Sequence, residues 1–110
     1  MGIDNTQWKI YEMQAEILKA LAHPIRLAIA NLLRDGEMCV CDIAEQVGAG
    51  RSNVSRHLAV MLHAGVLECR KDGLRMMYSL RTPCVLECFS CVSDVLRERV
   101  EAEGEVLKQL

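Results

Sequence analysis

Aromatic residues are scarce in this 110-residue chain, which has one Phe, one Trp and two Tyr. A core with so few rings must be built from Leu, Val, Ile, Ala and Met, and the spacing of these residues is typical of helices. No stretch approaches the roughly eighteen uninterrupted apolar residues of a membrane span, and acidic residues interrupt the N-terminal segment. We therefore expect a mostly helical, cytosolic protein with no membrane partner.

The residue patterns of common catalytic sites are also missing. The sequence contains no paired-carboxylate constellation, no Ser or Cys nucleophile beside a positioned His, and no glycine-rich phosphate loop. These absences predict that the chain is not an enzyme and uses no organic cofactor.

An overall positive charge is lacking as well, since the formal net charge is −2. However, residues 51–81 carry six basic and two acidic side chains, whereas residues 1–50 carry four basic and seven acidic ones. Residues 82–110 are acidic again, with three basic and six acidic side chains. Such confinement of positive charge is expected of a protein with one DNA-facing surface. A chain of this length is marginal as a lone globule, so we also expect a dimer.

Apolar periodicity and turn residues predict five helices and one β-hairpin. Pro24 suits a first helical turn, with His23 as a capping or partly buried residue, and Asp72-Gly73 is a common hairpin turn. The predicted helices are 6–21, a second from Pro24 to Leu33, 40–47, 51–63, and a long terminal helix capped by Thr82-Pro83 that frays from Glu101 onward. The predicted strands are 66–71 and 75–80. On the second helix the predicted core positions are Ile25, Ala28, Ile29, Leu32 and Leu33.

The motifs A-H-P-I-R-L, C-V-C-D and V-S-R-H-L-A, followed by a G-V-L hairpin, stand in one register. Over roughly residues 12–100 the chain resembles the ArsR/SmtB family of winged-helix repressors. The resemblance implies a single winged helix-turn-helix domain over 1–110, of order α-α-α-α-β-β-α, with N- and C-terminal dimerisation helices. It further implies a homodimeric repressor that releases double-stranded operator DNA when a metal ion or metalloid binds.

The helix from Arg51 is predicted to read DNA, because a recognition helix places its N-terminal polar residues in the major groove. Four polar residues face away from the predicted core positions Val54 and Leu58, whereas Asn53 and His57 are ambiguous. The alternative is an ordinary solvated helix face, and His57 has a second alternative as a hinge hydrogen-bonded to the neighbouring helix. The predicted DNA-binding residues are Arg51, Ser52, Asn53, Ser55, Arg56 and His57 on the helix, with Arg70, Lys71 and Arg75 on the wing, which is the hairpin of strands 66–71 and 75–80.

Six cysteines in a reducing compartment favour thiols, metal ligands or redox sensors over structural disulfides. Cys39 and Cys41 form a C-x-C pair suited to soft ions. The alternative is that both are small, buried apolar residues, which their closeness beside Asp42 disfavours. Side chains two residues apart on a helix point about 200° away from each other. Ligation of one ion by both cysteines would therefore distort the start of the short helix. Arsenic-responsive relatives often have a third cysteine where this chain has Ala44, so either another thiol completes a trigonal site or the ligand is not arsenic.

The terminal helix supplies candidates in Cys84, Cys88 and Cys91, which share one helix face over about 10 Å. They are predicted metal ligands, either with one of them completing a site with Cys39 and Cys41, from the same subunit or its partner, or in a separate site made of Cys88, Cys91 and a partner thiol. The remaining alternative is that they line an apolar dimer interface. Cys69 is predicted to be structural. Zinc- and nickel-sensing relatives use His and carboxylates on this helix, which has Asp94 but no His, so that subclass is disfavoured. As(III) or Sb(III) is the favoured inducer, ahead of Cd(II) or Pb(II).

Two other hypotheses use the same cysteines differently. In one, the repressor senses oxidants or persulfides through a reversible sulfur crosslink in place of a metal. In the other, the chain buffers metal ions and regulates no gene.

Overall fold

The computed structural model describes residues 2–109 as a helical domain with a small sheet. The helices are α1 (Asn5–Lys19), α2 (Pro24–Leu32), α3 (Val40–Val47), α4 (Arg51–His63) and α5 (Val85–Lys108). The strands are β1 (Met38–Cys39), β2 (Leu67–Asp72) and β3 (Arg75–Leu80), and Leu33–Asp35 forms a short 3-10 turn. The winged helix-turn-helix prediction is confirmed, and the bounds of α3 and α4 match the predicted ones.

The core lies where α2, α3 and α4 meet the base of the sheet. Its largest fully buried side chains are Ile29, Ile43, Val54, Leu58, Met61 and Leu67. The prediction that Ala28 is buried is wrong, because the core-facing stripe of α2 runs through Ile29 and Ala30 and leaves Ala28 exposed. His23 is confirmed as the N-cap of α2, where its Nδ1 accepts a hydrogen bond from the Ile25 N–H at 3.1 Å.

The sheet has three antiparallel strands in the order β1-β3-β2, and β1 was not predicted. A two-residue strand leaves no recognisable alternation in the sequence, so only its pairing with β3 defines it. The hairpin turn is Gly73-Leu74 and not Asp72-Gly73, because Asp72 pairs with Arg75. Gly73 has a φ of +63°, and among the described residues only glycines have positive φ. Glycine at the first position of a two-residue turn suits the right-handed twist of the strands.

The two outer helices contain no buried residue in the described chain. Trp8, Tyr11 and Leu18 are exposed on α1, and Val92, Val95 and Leu96 are exposed on α5. The apolar stripes predicted from the sequence are therefore present but largely uncovered by the chain itself. Within residues 2–109 no helix is long and apolar enough to cross a membrane.

The start and end of α5 differ from the prediction. The helix begins at Val85, with Cys84 at its N-cap position in the αR conformation, so Thr82-Pro83 forms a preceding turn and does not cap it. The helix also continues beyond Glu101 to Lys108. An ion pair between Glu105 and Lys108, one turn apart, supports this last stretch.

Candidate functional site

The helix-turn-helix is formed by α3, a three-residue turn and α4. Gly48 ends α3 in the left-handed region with a φ of +77°, a conformation that glycine adopts without steric cost. Gly50 is the N-cap of α4 and provides no side-chain hydrogen bond. Val54, Leu58 and Met61 are fully buried and fix the rotation of α4 against the core.

That rotation determines which α4 side chains face outward. Arg51, Ser52, Ser55 and Arg56 are exposed, whereas Asn53 is half-buried. The exposed residues form a polar and cationic face on the first two turns of the helix, opposite its buried side. In the described structure no hydrogen bond or ion pair occupies the Arg51 and Arg56 side chains. Both guanidinium groups are therefore available to a ligand.

His57 is half-buried and packs against the N-cap residue of α2. The ring centroids of His57 and His23 are 4.3 Å apart, with an interplanar angle of 40°. Burial lowers the pKa of His57, and the positive charges available on His23, Arg26 and Arg56 lower it further. The structure therefore brings His57 to the neighbouring helix by a ring contact.

The wing presents its cations unequally. Lys71 and Arg75 are exposed near the hairpin turn. Arg70 instead binds Glu37: its Nε donates to Oε2 at 2.9 Å and its Nη2 donates to Oε1. These hydrogen bonds lower the pKa of Glu37 and raise that of Arg70. Sequence reasoning missed Glu37, because it lies 33 residues from its partner and the unpredicted strand β1 brings it there.

Cys39 and Cys41 lie at the junction of β1 and α3. Cys39 is the last residue of β1 and the N-cap of α3, with extended backbone (φ −82°, ψ 162°), so it already lies outside the helix. The predicted distortion of a helical turn is therefore unnecessary for Cys39. Its side chain is only 4% exposed, whereas Cys41 is exposed on the first turn of α3. Joint ligation of one ion requires Cys39 to become accessible.

The α5 cysteines point away from the core of their own chain. Val85, Leu86 and Phe89 pack against that core. At about 100° per residue, Cys88 and Cys91 lie on a different face of the helix from Phe89. Cys84, Cys88 and Cys91 are all exposed.

Within residues 2–109 no group of three or more His, Cys, Asp or Glu side chains is placed to hold a metal ion. The single chain thus does not bring the α5 cysteines together with Cys39 and Cys41. All six cysteines are free thiols; Cys69 is half-buried on β2, opposite Tyr78. The donor chemistry fits a soft ion, but a trigonal site needs a thiol from outside one chain.

Known proteins are similar to this chain in both sequence and fold. Residues 23–68 match the family described as bacterial regulatory protein, arsR family. The HTH-type transcriptional regulator Rv0081 of Mycobacterium tuberculosis is 35% identical over 102 residues, which cover 92% of this chain and 90% of that protein. The transcriptional repressor SmtB homolog of Synechocystis is 33% identical over 98 residues, covering 89% of this chain and 70% of that protein.

Among solved structures, the homodimeric winged helix-turn-helix DNA-binding domain of Mb0332 from Mycobacterium bovis superimposes with a TM-score of 0.76 at 31% identity. The match covers 92% of this chain and 94% of that domain. The chain therefore belongs to the ArsR/SmtB family of winged helix-turn-helix transcriptional repressors, which are DNA-binding regulators and not enzymes.

Proposed function

We propose that this protein is a homodimeric repressor that releases its operator when a thiophilic ion binds its cysteines. As(III) or Sb(III) is the favoured inducer, with Cd(II) or Pb(II) next. The observation that carries the proposal is the position of Cys39 and Cys41. Cys39 ends strand β1, which pairs with β3 of the hairpin, and Cys41 lies on the first turn of α3, the first helix of the helix-turn-helix. An ion that binds both thiols would therefore act on the sheet and on the helix-turn-helix together.

Operator binding is assigned to residues of α4 and of the β2–β3 hairpin. The helix residues are Arg51, Ser52, Asn53, Ser55, Arg56 and His57, and the wing residues are Arg70, Lys71 and Arg75. Support comes from the exposure of the polar residues at the start of α4, where recognition helices approach base edges. Asn53 and His57 are half-buried and are the least accessible members of the helix set. The charge of Arg70 is partly neutralised by its ion pair with Glu37.

The homodimer is supported by the uncovered apolar faces of α1 and α5. Contiguous exposed apolar surface is rare on monomeric proteins and usually marks an interface. The Mb0332 domain, which has the same fold, is a homodimer. We assign α1 and α5 as the dimerisation helices of a single domain that spans residues 1–110.

The ion site is assigned to Cys39 and Cys41 of one subunit and a thiol of the partner's α5, with Cys88 and Cys91 ahead of Cys84. The α5 cysteines face away from their own core, which favours ligation across the dimer. With arsenite, each thiol that binds displaces one hydroxyl group of As(OH)3 as water, and the oxidation state of arsenic does not change. Closing the site draws Cys39 out of its buried position and disturbs the start of α3.

The test uses a DNA duplex selected from a random library by the wild-type protein. Anisotropy of that labelled duplex should show tight binding by the apo-protein and release on addition of arsenite. Cys39→Ser should bind the duplex as tightly as wild type and fail to release it. Cys69→Ser, which removes a half-buried thiol from the wing, is the matched control and should release normally. Full release by Cys39→Ser would refute the assigned site.

A second candidate function is sensing of oxidants or persulfides, favoured by the exposure of Cys41, Cys88 and Cys91. Treating the protein with hydrogen peroxide or sodium tetrasulfide should then produce a sulfur crosslink whose mass is lost on reduction. In this alternative, DNA release follows the crosslink and arsenite has no effect.

A further inference from the structure

An ion pair with two side-chain hydrogen bonds joins the wing to the segment that carries Cys39. Arg70 donates two hydrogen bonds to the Glu37 carboxylate, one to each oxygen. The side chains are 57% and 34% exposed, respectively. Exposed ion pairs usually contribute little, but a two-bond Arg–carboxylate pair fixes orientation as well as charge. Glu37 therefore restrains where the Arg70 strand can lie.

The sheet register places this pair beside the proposed sensor. Cys39 of β1 lies opposite Met77 of β3, and Met77 lies opposite Arg70 of β2. Directly opposed residues in antiparallel strands project to the same face, so these three side chains form one row across the sheet. Glu37 precedes Cys39 by two residues and reaches Arg70 at the far end of that row.

The connection of β1 to the sheet is short enough to be broken. Only Met38 and Cys39 pair with β3. Cys39 is buried while Cys41 is exposed, so chelation of one ion by both thiols must displace Cys39. Displacing Cys39 moves Glu37, because two residues of extended chain span only about 7 Å. Arg70 then loses the partner that held it.

We propose that Glu37 is a positioning residue that transmits the state of Cys39 to the wing through Arg70. This inference rests on the proposed function, because it assumes that an ion binds Cys39 and Cys41. In the apo-protein the pair holds β2, and with it the wing, in the DNA-binding position. When an ion displaces Cys39, the pair separates and the wing loses that position, in addition to any movement of α3.

The same wing offers a matched control in Glu68 and Arg81. Glu68 lies on β2, its carboxylate is 3.9 Å from the Arg81 guanidinium, and the two side chains are 61% and 62% exposed. Glu68→Gln and Glu37→Gln each remove one negative charge from the wing region. A general electrostatic effect on DNA binding would therefore be alike in both variants, whereas loss of the proposed link occurs only in Glu37→Gln.

The experiment measures the Kd of each variant for the selected, labelled duplex by anisotropy, with and without arsenite. The Kd with arsenite divided by the Kd without it is the induction ratio. Glu68→Gln should keep the wild-type ratio. Glu37→Gln should lower it by about fivefold or more, the lower end of typical allosteric couplings. Arg70→Lys should lower the ratio in the same way, because lysine keeps the charge but cannot form two parallel hydrogen bonds to a carboxylate. Arsenite affinity, followed by sulfur-to-arsenic absorption, should stay at the wild-type value in Glu68→Gln. In Glu37→Gln and Arg70→Lys it should stay at or above that value, because the ion no longer has to separate the pair.

Each other outcome overturns the link. Equal induction ratios for Glu37→Gln and Glu68→Gln would show that the pair is an ordinary surface contact, and the proposed function would stand. Weaker arsenite binding by Glu37→Gln would place Glu37 at the ion site itself. If arsenite binds wild-type protein without releasing the duplex, the proposed function fails, and the link fails with it.

Discussion

Similar apolar residues are buried in the helix-turn-helix core but exposed on the terminal helix. Leu58 on α4 is fully buried, whereas Leu96 on α5 is 57% exposed, although both lie on amphipathic helices. The core of α2, α3 and α4 is complete within one chain. Helices α1 and α5 present apolar faces that the chain does not cover, and α5 also carries three exposed cysteines. The DNA-reading module is thus self-sufficient, while dimerisation and the proposed sensing depend on a second copy.

The largest expected effect comes from emptying the core. Leu58→Ala should lower the free energy of unfolding by about 2–5 kcal/mol, because it removes buried methyl groups and leaves a cavity. Urea denaturation measures this loss. Leu96→Ala on α5 is the matched control, and its loss should depend on protein concentration, as expected for a contact between subunits. Equal, concentration-independent losses would contradict the contrast between the two helices.

The second effect tests the uncovered face of α5 directly. Leu96→Glu places a charge in the proposed interface and should raise the dimer dissociation constant by tenfold or more, since about 1.4 kcal/mol corresponds to each factor of ten. Sedimentation at several concentrations measures it. Glu101→Gln, an exposed change on the same helix, is the control. An unchanged dimer in Leu96→Glu would show that this face is not the interface.

The contrast also explains what the sequence could predict. The bounds of α3 and α4 follow from strong local signals, namely Gly48 and Gly50 at the turn and an apolar stripe with helical spacing. Strand β1 and the Glu37–Arg70 pair have no local signal, because both exist only when β3 and β2 come alongside. The Asp72-Gly73 turn was misplaced by one residue for the same reason, since strand pairing sets the register.

The candidate site was predictable by residue type more than by arrangement. The polar residues of α4 followed from helical spacing, and the half-buried state of Asn53 and His57 matches their ambiguous assignment. The burial of Cys39 did not follow, because a cysteine next to a predicted helix gives no indication that it occupies a strand. Its separation from the α5 cysteines depends on packing between elements distant in the chain.

A third, smaller effect concerns the exposed polar side of α4. Arg56→Gln should weaken binding to the selected duplex without changing stability, because Arg56 is exposed. If Arg56 of each subunit contacts one phosphate, the slope of log K against log salt should become less steep by about 1.8, or about 0.9 for each of the two contacts. Arg34→Gln, an exposed change outside the basic segment, should leave the slope unaltered. A wild-type slope in Arg56→Gln would exclude this phosphate contact.

The smallest effect is a pH dependence of the free energy of unfolding that comes from His57. The pKa of His57 is lowered from its ordinary value of 6.5 by burial and by its positively charged neighbours. As the pH falls, His57 therefore takes up a proton in the unfolded chain before it does so in the folded chain. The contribution of His57 to the free energy of unfolding is complete above about pH 6.5 and declines below it until the folded-state pKa is passed. Urea denaturation across this range should show the decline in wild type and in His63→Gln, and a smaller one in His57→Gln. An equal decline in both variants would rule out His57 as its source.

The central claim is that the second copy completes the sensor, and mixed dimers test it most directly. One subunit carries Cys39→Ser and Cys41→Ser, and the other carries Cys84→Ser, Cys88→Ser and Cys91→Ser. Arsenite titration, followed by sulfur-to-arsenic absorption, should give one site per mixed dimer and two per wild-type dimer, because one intact set of thiols still meets across the interface. A mixed dimer that binds no arsenite, while the wild-type dimer binds two, would place all ligands in one chain and contradict the claim.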